Sequence, residues 1–171
     1  KNRDLNYFPG TNASTLALEA GKLLSDPNGP RVAVFKVDNF DTHAAQGGEN
    51  GAHADSLKEY DQILKALKAS MGSTFKDTLI LTLTEFGRTV KQNGGNGTEH
   101  GYGTAVLMAG GLIKKPKVHG DWPGLKNKEL FQGRDLNSTM DARSIYASAM
   151  STVFDLDFKR IQKDVFFGDK L

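Results

Sequence analysis

Cysteine is missing altogether from the 171 residues of this sequence. Disulfide frameworks, zinc fingers, thiolate nucleophiles and iron–sulfur clusters are therefore excluded, and any metal must be held by histidine, carboxylate or amide groups. An excess of one charge is missing too, because 22 Lys and Arg stand against 20 Asp and Glu, for a net charge of +2. This balance argues against a nucleic-acid-binding domain, which usually presents a clustered basic face.

Long apolar runs are also absent. The longest, residues 104–112, contains glycines and is far shorter than the roughly 20 residues that a membrane-spanning helix needs. We therefore expect no membrane span. The sequence starts at Lys1 and shows no signal-peptide pattern there, which leads us to expect a processed or truncated product.

The order of predicted elements indicates an α/β protein. Apolar spacing predicts a helix capped by Asn12 or Ser14, a long helix through residues 57–71 and a last helix that opens with a capping box at Ser138-Thr139-Met140-Asp141. Short β-branched runs predict buried strands at residues 32–37, 78–84 and 105–109. Because a helix separates the first two strands, we expect a right-handed parallel crossover. The length of residues 1–171 predicts a single domain.

Polar side chains that suit a metal follow the predicted strands. In an open parallel sheet, ligands collect beyond the carboxyl ends of the strands. The segments there carry Asp41 and His43, then Glu85 and Arg88, then Asn93, Glu99 and His100. Imidazole and carboxylate groups without sulfur suit Zn, Mn or a similar divalent ion. The alternative is that the carboxylates cap helices and the histidines are ordinary loop residues.

Two further histidines fit a metal site less well. His53 begins the long predicted helix, and His119 lies in an irregular stretch that is rich in turn-forming residues. For both we expect a structural or solvent-facing role.

Three ordered motifs resemble those of a bacterial family called domain of unknown function 1501. They are Phe40-Asp41-Thr42-His43-Ala44-Ala45-Gln46, then Thr84-Glu85-Phe86-Gly87-Arg88-Thr89, then Asn93 followed by Gly97-Thr98-Glu99-His100-Gly101. The family pattern is aromatic-Asp-Thr-His-x-x-Gln, then Ser-Glu-Phe-Gly-Arg, then Asn and Gly-Thr-Asp-His-Gly. Thr84 and Glu99 thus replace a serine and an aspartate. The resemblance extends over nearly the whole chain.

The resemblance implies a fold, an origin and a location. Family members are grouped with the alkaline phosphatases and sulfatases, which implies a three-layer α/β sandwich with a mostly parallel central sheet, incomplete within residues 1–171. It also implies that the chain is the C-terminal part of a longer protein, exported by the twin-arginine route to a periplasmic or secreted location. The missing N-terminal part is then an expected partner, and it would carry the catalytic nucleophile.

The leading hypothesis is a metal-dependent hydrolase of phosphate or sulfate esters in the bacterial envelope. It assigns a divalent ion, namely Zn, Mn, Ca or Mg, to Asp41, His43, Glu85 and His100. It assigns the small anionic ester to Arg88 and Asn93, since arginine offers two parallel donors to phosphate or sulfate oxygens.

The competing hypothesis is a non-catalytic periplasmic protein that keeps the phosphatase-like fold and binds a ligand or a partner. The Asp-His-Gly ligand motif of the phosphatases corresponds to Glu85-Phe86-Gly87 here, so a carboxylate is kept and an imidazole is lost. That loss favours the non-catalytic alternative. Metal content separates the two hypotheses, because a hydrolase of this type retains its ion.

Overall fold

The computed structural model describes residues 12–171. Within this part the chain forms two compact units. The first comprises residues 12–41 and 47–75, and the second comprises residues 42–46 and 76–171. The expectation of a single domain over residues 1–171 stays a prediction.

The first unit is a pair of packed helices, α1 and α2. α1 spans Ala13–Ser25 and begins at Asn12, whose side chain accepts a hydrogen bond from the main chain of Thr15 at 2.8 Å. α2 spans Ala52–Met71. The buried apolar side chains of the pair are Ala17, Ile63, Leu67 and Met71. Both helices confirm the sequence prediction, because their apolar residues recur at helical spacing and meet on one face.

The predicted first strand does not form. Residues 32–41 carry no regular secondary structure, and Val32 and Val34 are 61% and 91% exposed. Within residues 12–171 no strand pairs with this segment. The prediction was wrong because β-branched apolar residues favour a strand only where neighbouring chain supplies packing and hydrogen bonds.

The second unit contains two small antiparallel sheets. β1, Ile80–Thr82, pairs with β4, Leu107–Ala109. Between them in sequence, β2, Gly87–Arg88, pairs with β3, His100–Gly101. One antiparallel pair is thus nested inside the other along the chain.

The three-layer sandwich with a mostly parallel central sheet is therefore wrong for the described residues, and so is the alkaline-phosphatase-like fold that the resemblance implied. The predicted strands at residues 78–84 and 105–109 contain β1 and β4. The parallel crossover was predicted between residues 32–37 and 78–84, and it does not form because residues 32–37 are not a strand. β1 instead pairs antiparallel with β4, and strand direction depends on the path of the chain between the strands, not on local composition.

Two helices end the second unit. α3 spans Ala142–Phe154, and its cap is Asp141, the last residue of the predicted capping box and not the first, Ser138. α4 spans Phe158–Asp164 and was not predicted, since its seven residues are too few to show a clear helical period. Ala147 and Ile161 are buried where these helices pack. None of the helices in residues 12–171 has the length and apolarity to cross a bilayer.

Charged side chains stabilise the start of α3. The Asp141 carboxylate accepts a hydrogen bond from the main chain of Arg143 at 2.9 Å and forms an ion pair with its guanidinium at 2.7 Å. The same guanidinium reaches Asp169 at 2.5 Å. Hydrogen bonds from the side chain and then the backbone of Arg143 lower the pKa of Asp141 below its ordinary 3.8, because they favour the charged form.

This pKa shift predicts a pH-dependent contribution to stability. A carboxylate whose pKa is lowered by folding stabilises the protein fully above its unfolded pKa, and the effect disappears as the pH falls through the folded pKa. Asp141→Asn keeps a helix-capping acceptor but removes the charge. We expect it to lower the free energy of unfolding at about pH 7 by about 0.2–1 kcal/mol, as for an exposed ion pair.

Urea denaturation at pH values of about 7, 5 and 3 measures this effect. The difference between wild type and variant should hold at the two higher values and shrink at the lowest. Asp155→Asn, the same charge change at the other end of α3, is the control. A difference that is equally large at about pH 3 would contradict the assignment.

Candidate metal centre

The candidate site is built where residues 42–46 lie against the loop of residues 93–98, within the second unit. Main-chain hydrogen bonds join the two segments, from Ala45 to Gly95 at 2.9 Å and from Gln46 to Asn96 at 2.9 Å. A third runs from Thr98 back to Thr42 at 3.1 Å. The pairing holds His43 beside the loop that leads to His100.

Gly97 permits this close approach. A Cβ at this position would overlap the main-chain carbonyl group of His43 and would lie 2.5 Å from the nitrogen of Ala44. At Gly95, the nearest atoms to such a Cβ lie at 3.4–3.6 Å, which is ordinary van der Waals contact. The two glycines of the same loop therefore differ in how much space they leave.

Asn93 organises the loop with both ends of its amide. Its Oδ1 accepts hydrogen bonds from the main chain of Gly95 and of Gly97, each at 2.9 Å. Its Nδ2 donates to the main-chain oxygen of His43 at 2.8 Å and also to the Glu99 carboxylate. Asn93 thus positions other residues, and its contact with an anionic substrate stays a prediction.

His43 links a carboxylate to a second histidine. Its Nδ1 lies 2.8 Å from Oε2 of Glu99, and its Nε2 lies 3.0 Å from Nε2 of His100. Hydrogen bonds from the side chains of Asn93 and then His43 lower the pKa of Glu99 below its ordinary value. Glu99 is therefore ionised at neutral pH, and the hydrogen between it and His43 belongs to the imidazole.

Asp41 is one of the four residues that sequence reasoning assigned to a metal. It is the last residue of the first unit and is bonded directly to Thr42. Its assignment as a ligand stays a prediction. Two imidazoles and a carboxylate form a donor set that suits a single divalent ion.

Glu85 is the other carboxylate that sequence reasoning assigned to the metal. It is exposed, and it is not among the described residues whose ligand atoms converge. Its assignment as a ligand stays a prediction. Glu99 is the carboxylate that lies beside His43, although no sequence pattern favours it over Glu85. The only available signal was its position directly before a candidate ligand, His100.

Arg88 is held half-buried beside the loop. Its Nε donates to Oγ1 of Thr98 at 3.0 Å, and its guanidinium also donates to the main-chain oxygen of Thr98. The Thr98 hydroxyl in turn donates to the Gln46 side chain at 2.8 Å. Sequence reasoning did not single out Thr98 or Gln46. The contact of Arg88 with an ester substrate stays a prediction.

Phe86 covers one face of His100. Their rings are stacked, with centroids 3.9 Å apart and planes inclined by 25°. The exposed aromatic ring therefore restricts how the His100 imidazole can turn. The metal hypothesis had treated Phe86 only as a lost ligand, and the structure gives it a packing role beside the site.

Comparison with known protein families matched residues 20–162 to the model described as Protein of unknown function (DUF1501). The chain belongs to the DUF1501 family. The DUF1501 match includes all three motifs from which the resemblance was drawn, and it confirms that resemblance. Comparisons with curated proteins and with solved structures gave no match.

The difference between the two glycines yields a paired test. Gly97→Ala forces a methyl group against the His43 main chain, so we expect it to lower the free energy of unfolding by about 1–3 kcal/mol, the usual cost of overpacking. We also expect it to displace the His43 ring, which two-dimensional NMR of the imidazole resonances would detect. Gly95→Ala is the control and should change the His43 resonances little. Equal effects of the two substitutions would refute the packing argument.

Proposed function

We propose that Asp41, His43 and His100 bind one divalent metal ion, and that this DUF1501 protein uses the ion to hydrolyse phosphate or sulfate esters. The observation that supports this best is the 3.0 Å separation of the two histidine Nε2 atoms. With Zn–N distances of 2.0–2.1 Å, tetrahedral coordination separates two nitrogens by about 3.4 Å. The two rings need to part by only a few tenths of an ångström to accept an ion.

The types of ligand atom indicate which metal ions the site would favour. Ca and Mg favour sites composed of oxygen ligands, whereas imidazole favours Zn and other transition metals. Two imidazoles and one carboxylate therefore support Zn or Mn over Ca or Mg. Water or substrate would occupy the remaining positions, as in catalytic sites with three protein ligands.

The residues of this chain have separate roles in the proposed reaction. Asp41, His43 and His100 hold the ion, which when bound supplies Lewis-acid stabilisation of negative charge and lowers the pKa of a bound water. Arg88 is the candidate for binding the anionic ester, because its guanidinium is fixed by Thr98 beside the same loop. No residue of this chain is assigned as nucleophile. A periplasmic or secreted location belongs to the proposal on the family resemblance alone.

One observation favours the alternative of a non-catalytic binding protein. Asn93 and Arg88, the two residues assigned to the substrate, both form hydrogen bonds with the site's own loop. Such bonds give these residues a structural purpose that needs no substrate. Metal binding without turnover is the outcome that would support this alternative.

Calorimetric titration with Zn and with Mn tests the metal site. The matched pair of variants is His100→Ala and His119→Ala, since both remove one exposed imidazole from the second unit. We expect His100→Ala to weaken Zn binding by more than about 100-fold, beyond the range usual for outer-shell partners. His119→Ala should leave the affinity unchanged.

Hydrolysis of aryl phosphate and aryl sulfate esters in the presence of the bound metal tests the reaction. Turnover that is lost in His100→Ala and kept in His119→Ala supports the hydrolase. Metal binding without turnover supports the binding protein instead. Equal metal affinity of wild type and His100→Ala would overturn the proposed metal site and the hydrolase that depends on it.

A further inference from the structure

We propose that Glu99 is a positioning residue for this centre: its carboxylate holds His43 in the tautomer that carries hydrogen on Nδ1, so that Nε2 offers its lone pair to a metal. The proposal rests on the proposed metal site and deepens it. It assigns Glu99 a task different from that of a ligand, and it makes Asn93 the residue that holds Glu99 in place.

The distances around His43 indicate which of its ring nitrogens carries the hydrogen. Nδ1 of His43 lies 2.8 Å from Oε2 of Glu99, within the range of a charge-assisted hydrogen bond. A carboxylate at neutral pH only accepts hydrogen bonds, so the hydrogen in this contact is on Nδ1. In a neutral imidazole, Nε2 is then unprotonated and faces His100 at 3.0 Å.

Both carboxylate oxygens of Glu99 already accept hydrogen bonds. Oε2 accepts from His43, and Oε1 accepts from Nδ2 of Asn93. The Glu99 main chain is also held, since its nitrogen donates to Oγ1 of Thr89 at 3.1 Å and its oxygen accepts from the Thr89 nitrogen at 2.9 Å. A side chain restrained at these points suits orientation of a neighbouring imidazole better than coordination of an ion.

The arrangement also accounts for the contact between the two histidines. Two neutral imidazoles with Nε2 atoms 3.0 Å apart need one hydrogen between them. Because Nδ1 of His43 carries its hydrogen toward Glu99, the shared hydrogen comes from Nε2 of His100. For His100 to bind an ion through Nε2, that hydrogen would have to move to Nδ1 of the same ring or be released to water, whereas Nε2 of His43 carries none. Glu99 thus pre-organises one ligand of the pair.

The tautomer can be read directly in the metal-free protein. Nitrogen-15 chemical shifts of the imidazole rings, measured at about pH 8, distinguish hydrogen on Nδ1 from hydrogen on Nε2. We expect Nδ1–H for His43 in the wild type. Glu99→Gln and Glu99→Ala should move His43 toward Nε2–H, because each removes the carboxylate that favours hydrogen on Nδ1. Glu19→Gln, the same charge change on the exposed surface of α1, is the control and should leave the His43 shifts unchanged.

Zinc titration of the same proteins provides the second readout. We expect Glu99→Gln to weaken Zn binding by about 10–100-fold, the usual effect of removing an outer-shell partner of a ligating histidine. The loss of Zn affinity should be smaller in Glu99→Gln than in His43→Ala. The Co-substituted protein should keep its ligand-field spectrum in Glu99→Gln, since the set of coordinating atoms is unchanged.

The outcomes separate this proposal from the one on which it rests. A His43 tautomer that is the same with and without the Glu99 carboxylate overturns it. A loss of affinity as large as that of His43→Ala, with an altered Co spectrum, also overturns it, because Glu99 would then be a ligand. If the wild type binds no metal but the tautomer shifts as expected, the positioning role stands and the metal-dependent function fails.

Discussion

The close approach of Gly97 to the main chain of His43 is the constraint on which the candidate site depends. A side chain at position 97 would occupy the space of the His43 carbonyl group. Because the approach is allowed, residues 42–46 pair with the loop 93–98 through main-chain hydrogen bonds. That pairing brings together two histidines that lie far apart in the sequence. The site is therefore a product of backbone packing before it is a product of side-chain chemistry.

Hydrogen bonds, and not burial, order the side chains of this site. The side chains of His43 and Glu99 are 44% and 52% exposed, so their hydrogen bond competes with water and adds little to stability. Its effect is on side-chain orientation, because each hydrogen bond restricts the rotation of one ring or carboxylate. Asn93 is central to this network because its amide contacts the loop, the His43 main chain and Glu99. An exposed centre ordered in this way remains open to water and to a ligand.

The helices and strands differ in how well the local sequence predicts them. α1 and α2 form as predicted, since each helix depends on hydrogen bonds within a few residues and on one apolar face. The predicted strand around Val34 fails for the opposite reason. A strand needs a partner, and none is present within residues 12–171. β1 and β4 lie where the apolar runs predicted strands, but they pair antiparallel because the chain returns through the nested pair β2 and β3.

The sequence by itself determined the chemical character of the site. Without cysteine, a metal must use imidazole and carboxylate groups, and the ordered motifs around Asp41, His43, Glu85 and His100 were sufficient to identify the family and to predict four ligands. The tertiary structure alone decided which carboxylate lies beside His43, because Glu85 and Glu99 have the same chemistry and both neighbour motif residues. Only the folding of the loop against residues 42–46 places Glu99 within hydrogen-bonding distance, and such contacts between distant segments are not encoded in local spacing.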